Sequence, residues 1–329
     1  MVGIALALGA SFCWGTGDFL GGFSTRRASL WAVIIISQTV GLVGAALVTL
    51  GTGHGWPGWH AVWPVVLGGV ASVVAISSFY KALAIGTMSI VAPISATNAL
   101  IPFVAGIAGG ERPAALQLAG VALAAAGVLL VAVEPARRDE TVGVAALPGE
   151  PAVEPDEARS LFLREPSPAV APATGLAVAV PSAGAPGRPS RAAQRRAMGL
   201  ALLAAVCIGL VLIGYDATAR YDPLWAMLAG RASSATLFAL AFLALRPQVR
   251  LARSALPFIV TVGILDTAAN GLFALATTQG YLSIVSVLGS LYPVVTVLLA
   301  FGVLRERIAR HQLAGAVATL AGVALIAAG

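Results

Sequence analysis

Charge is scarce in this chain. Of 329 residues only 10% are charged, against about 25% in an ordinary soluble domain. A water-solvated surface over most of the molecule is thereby excluded. Lysine is nearly absent, with Lys81 the single example. The net charge of +6 is therefore arginine. Those arginines lie in short segments between apolar runs, where a basic bias reports orientation and not nucleic-acid binding. Cysteine is almost as rare. Cys13 and Cys207 both fall inside apolar runs, so no disulfide framework or metal spacing can be built from them. The histidines, His54, His60 and His311, fall in loops or at the end of a run. There is no HExxH, no in-membrane histidine pair and no GxSxG, so neither an enzyme nor a metal or other cofactor is expected. The missing P-loop excludes ATP as the direct energy source. The first apolar run has no basic segment before it and no clear cleavage site, which reads as a retained helix.

What fills the space is hydrophobic sequence. The chain is 58% hydrophobic with a mean hydropathy of +0.91. Apolar runs of about 18 or more residues recur, and each reads as a membrane span. They are too long and too continuous for barrel strands, so the fold class is an all-α membrane protein. Ten spans are expected, at 3–22, 31–50, 62–83, 88–109, 114–133, 198–217, 223–245, 255–279, 281–303 and 311–328. Between the fifth and sixth, residues 134–197 are rich in Ala, Pro and Gly with no sustained period. That composition cannot bury a core and reads as a disordered linker.

The linker divides two copies of one unit, 1–133 and 198–329. GTMSIVAP at 86–93 matches GYLSIVSV at 280–287, and Cys13 and Gly15 match Cys207 and Gly209, all at an offset of 194. QLAG at 117–120 recurs at 312–315, an offset of 195. An odd number of spans per copy turns the second upside down in the bilayer. Inverted repeats of this kind are a transporter architecture, with the substrate held near the midplane between them. Alternate assignment of loops puts Arg112 and Arg220 on the face bearing both termini, and 17 basic residues on the other. The positive-inside rule then places the termini outside a plasma membrane and the basic face in the cytoplasm.

Certain stretches go further. ASFCWGTGDFLGG at 10–22 has a half-match at 204–216. FYKALAIGTMSIVAPISATNALIPFVAGIAGGERP at 79–113 has a second copy in GYLSIVSVLGSLYPVVTVLLAFGVLRERI at 280–308, and QLAG with an apolar span closes each copy. On these residues the chain resembles the EamA-type drug/metabolite transporter family over nearly everything but the linker. The resemblance implies a ten-helix, two-repeat carrier of small metabolites, amino acids or drugs, often directed outward. It also implies termini in the cytoplasm, opposite to the charge count. The expected partners are a small solute, the bilayer and, as a coupling ion, protons. A lipid flippase or a non-transporting protein of the same fold is the alternative.

Polar residues inside the spans are the candidates for the site. A charge at a helix centre costs about 2.5–3.5 kcal/mol on insertion scales, so it normally faces a cavity or a partner. At ~1.5 Å per residue, Arg231 lies about 12 Å from the terminal face. Asp266 lies about 14 Å from the same face, on the next antiparallel span. The two are level and can pair, either lining a cavity or bracing two helices, and Asn270 is one turn from Asp266. Asp18 lies near the basic face, with Gln38 near its level, either at a gate or as an interfacial carboxylate beside Arg26 and Arg27. Asp216 and Asp222 near span ends read as solvated, and Glu111 and Glu306 as helix-end charges. Ser95, Thr97, Asn98, Ser290, Tyr292, Ser72 and Trp14 cluster near the midplane. Pro93, Pro102 and Pro293 in the fourth and ninth spans make those helices candidates for bending.

Overall fold

The computed structural model describes residues 1–25, 27–85, 91, 94–132, 191–304 and 310–329. Residues 134–190 of the expected linker, Pro93, Arg26, Glu306 and Arg307 lie outside the described residues. Helix accounts for the architecture. The elements are α1 (Val2–Thr25), α2 (Leu30–Gly51), α3 (Trp59–Ile85), a 3-10 turn (Ala96–Ala99) and α4 (Leu100–Ala108). α5 (Ala115–Ala132) closes the first repeat. The second repeat has α6 (Arg191–Ala219), α7 (Pro223–Leu245), a 3-10 turn (Arg253–Ala255) leading into α8 (Leu256–Gln279), α9 (Leu282–Gly289), α10 (Tyr292–Leu304) and α11 (Arg310–Ala328). Among the described residues nine stretches are long and apolar enough to cross a membrane. The shorter apolar stretch Ala96–Ala108 stands where the fourth span was expected. Helix is the necessary answer, since lipid offers the backbone no other partner.

The boundaries depart most from expectation in the sixth, ninth and fourth spans. α6 begins at Arg191, seven residues before 198, because a helix already committed to the bilayer continues through RAAQRRA without a breaker. The ninth span is not one helix. α9 ends at Gly289 and α10 begins at Tyr292, with Pro293 in its first turn. A proline there gives up an N–H that has no helical partner anyway. Shifted by 194, this break falls on the 3-10 turn Ala96–Ala99 of the first repeat. Pro102 follows that turn in the first turn of α4. Both copies thus interrupt the same helix at the same place.

Local chemistry sets the helix starts. Asp222 caps α7 by accepting from the N–H groups of Leu224 (2.8 Å) and Trp225 (3.0 Å), and Pro223 follows at the first helical position. Gly110, at φ 96°, reverses the chain after α4.

Helices pack mainly across the repeats. α1 lies along α8, and its symmetry image α6 lies along α3. α2 packs on α8 and, as the image of that pair, α7 packs on α3. α2 meets α7 and α5 meets α11 about the pseudo-twofold axis. The α5–α11 seam is glycine-lined. A Cβ on Gly127 would stand 2.6 Å from the Gly315 carbonyl oxygen, so only glycine lets the backbones come this close. Such small-residue contacts replace the missing hydrophobic drive between helices in lipid. Large apolar side chains such as Leu47, Leu67, Leu243 and Leu320 point outward. On the terminal face Trp56 stacks edge-on against Trp59 and Trp225, with ring centroids 5.4 and 4.8 Å away. Aromatic clusters of this kind mark the membrane interface.

Candidate functional site

Arg231 of α7 reaches across to two helices. Its Nη1 donates to Gln38 Oε1 of α2 at 2.5 Å, and its Nη2 pairs with Asp266 Oδ2 of α8. All three side chains are buried, with Arg231 at 4% exposure and Asp266 at 6%. The pairing follows from depth, as the helical rise predicted. Its rotation is set by glycine. Gly41 on α2 and Gly263 on α8 let those two helices close up, and a Cβ at Gly41 would stand 3.1 Å from Arg231 Nε. Arg231 Nε and the neighbouring Thr267 Oγ1 are buried without a hydrogen-bond partner. A buried ion pair gains little net stability unless its remaining donors are met. This one is incompletely met.

The trio forms part of the wall of a cavity of about 130 Å³. Trp14, Asn98, Asn270, Ser290 and Tyr292 line it as well, as does Ser72. The Trp14 ring lines the cavity together with Asp266 and packs on Phe273 at 5.7 Å between ring centroids. The breaks in the fourth and ninth spans deliver Asn98, Ser290 and Tyr292 to the same space. The cavity thus presents one cation, one anion, amide groups and aromatic walls. That set can orient a small polar solute.

Other expected residues go elsewhere. Ser95 is buried away from the cavity, and Thr97 Oγ1 donates to the Ile94 carbonyl at 2.6 Å. Asp18 has no exposed surface, so it is not an interfacial carboxylate: α1 runs on to Thr25 and keeps it inside the bundle. Gln38, expected at the level of Asp18, instead holds Arg231. Asp216 is not solvated either. It is 5% exposed and accepts from Arg220 Nη2 at 2.8 Å. Asp222 caps α7 and pairs with His54 Nδ1 at 2.5 Å. Several lining residues escaped the sequence reading, and Tyr215 is the most polar of the large ones. Tyr215, buried on α6, contributes to the cavity wall, and Gly230 leaves room for its hydroxyl. A phenol inside an apolar run was the available signal, hidden by its neighbour Asp216.

Fold and site together define an internally duplicated α-helical membrane protein built around a polar cavity between its two copies. The profile of the EamA-like transporter family matches residues 1–133 and 195–328. The chain belongs to that family, as its motifs implied. No curated protein matches it in sequence. One protein of known crystal structure is similar to it at a TM-score of 0.67, covering 98% of this chain and 95% of its own, with 16% identity. At that identity the likeness shows the fold alone.

Proposed function

We propose that the protein is a secondary transporter, exporting a small metabolite or drug by alternating access to the midplane cavity. The observation that carries this reading is the Gln38–Arg231–Asp266 trio, placed in the cavity wall where the two repeats meet. Low-dielectric surroundings make any lone charge costly. A solute bearing one charge of each sign can take the place of both partners of the ion pair without stranding either. A singly charged solute strands one of them. The reading is therefore a preference for neutral or zwitterionic polar solutes over singly charged ones. Asp266, released from Arg231, is the acid that would carry a coupling proton.

The orientation follows the arginine bias, with the basic face in the cytoplasm of a plasma-membrane protein and both termini outside. A C-terminal reporter active only in the cytoplasm tests this, and a strong signal reverses the assignment.

The function is tested by counterflow of a labelled metabolite panel in proteoliposomes. Uptake of at least one small solute, abolished by Asp266→Asn, is expected. Lipid scrambling without solute flux would sink the carrier reading in favour of a flippase.

A further inference from the structure

The repeats of the sequence are not the packing units of the bundle. α2 and α3, neighbours in the chain, scarcely touch, and α1 meets α2 only sparingly. α1 and α2 pack on α8, and α6 and α7 on α3, while α2 and α7 meet between the two sets as extensively as α2 meets α8. Two bundles result, α1–α2–α8 and α6–α7–α3. Each holds helices of both repeats, and each is the symmetry image of the other. α9 lies against α1 in the first bundle, and the 3-10 turn with α4 lies against α6 in the second. Bodies that move against one another should be those that pack as units. These are the swapped bundles, and Arg231 of one grips Gln38 and Asp266 of the other.

A second polar grip joins the bundles at the terminal face. Glu111 follows α4. Its Oε1 accepts from the Leu282 N–H at 2.7 Å and its Oε2 from the Ser283 N–H at 2.9 Å. These donors belong to the first turn of α9, where helical N–H groups lack partners and the dipole favours an anion. Gly106 makes the approach possible, because a Cβ there would stand 2.8 Å from Glu111 Cδ. The face is fixed by its neighbours. Gly3 abuts Gln279, and Gly329 abuts Gln117. His54 with Asp222 joins the bundles at the same face. Beside the Glu111 contact the Ser283 hydroxyl is fully buried and has no hydrogen-bond partner. Water admitted on opening would satisfy that hydroxyl, which lowers the cost of breaking the contact.

We propose that Glu111 is the latch holding the two swapped bundles together at the terminal face, and that this face opens when α9 leaves the Glu111 carboxylate. The proposal rests on the alternating-access reading. Glu111 touches no solute. It is a positioning residue that acts through α9, whose end carries Gly289 into the cavity wall.

The test uses the full chain with Cys13→Ser and Cys207→Ser and a single reporter, Thr277→Cys, which replaces a side chain buried at 9% exposure. A membrane-impermeant maleimide is applied from the terminal face of proteoliposomes. Glu111→Ala is expected to raise the labelling rate by roughly tenfold, as befits the loss of two charge-assisted hydrogen bonds. Glu111→Gln, which keeps shape and one good acceptor, should fall between, and Glu111→Asp should restore slow labelling in part. Gel filtration and melting check each variant's fold. If Glu111→Ala does not fold, Glu111→Gln carries the comparison. Unchanged labelling in a folded variant overturns the latch. Faster labelling without solute flux in the parent chain keeps the latch and removes the transport reading. Solute flux with unchanged labelling does the reverse.

Discussion

Around the cavity the two repeats agree in shape and differ in chemistry. Shifted by 194 residues, Gly15 answers Gly209 and Gly69 answers Gly263, and each pair marks a close helix contact. The same shift places Ser72 opposite Asp266, Ser37 opposite Arg231 and Ile76 opposite Asn270. The glycine scaffold is symmetric, whereas the two charges that line the cavity, Arg231 and Asp266, both stand in the second repeat. Packing constrains both copies equally, because each seam is made of one helix from each. The cavity wall is free to diverge, since a single ion pair serves the whole space. The result is a polar pole displaced from the symmetry axis.

The comparison can be broken most severely by making the second repeat resemble the first. Asp266→Ser leaves Arg231 buried without its counter-charge and should cost about 3–5 kcal/mol, read as a lowered melting temperature. Adding Arg231→Ser should return most of that stability while solute flux stays absent. Recovery of flux in the double variant would assign the pair a bracing role only. The reverse exchange, Ser72→Asp, puts an acid in the first repeat with no arginine opposite. About 2.5–3.5 kcal/mol should be lost, measured by the same melt. Disturbing the shared scaffold comes next. Gly127→Val forces a side chain against Gly315 and should cost about 1–3 kcal/mol, with matching damage from Gly315→Val. The smallest effect falls outside the cavity. Asp222→Ala removes the cap of α7 and should cost about 0.5–2 kcal/mol.

The ion pair was legible because depth in a bilayer is a one-dimensional quantity that helical rise fixes from sequence. Rotation about each helix axis is not fixed that way. Gln38 therefore seemed a companion for Asp18 until α2 was seen to turn it toward Arg231. The same limit hid Tyr215 and wrongly included Thr97, whose hydroxyl bonds to its own backbone. The repeats and the helical fold were readable from runs and offsets. The break between α9 and α10 was less so, since Pro293 marks the start of the second piece and not the point of interruption. Glu111 looked like a local helix-end charge because its partners lie 171 and 172 residues further on.

The exchange of helices between bundles has a consequence for biogenesis. When α1 to α5 have entered the bilayer, α1 and α3 have not yet met α8 and α6, the helices they pack along. Glycine faces such as Gly127 wait against lipid for Gly315 to arrive. The first half is an unfinished object during synthesis, without a core of its own. Assembly is then set by the emergence of the second half, and two separately expressed halves would behave as obligate subunits of a heterodimer.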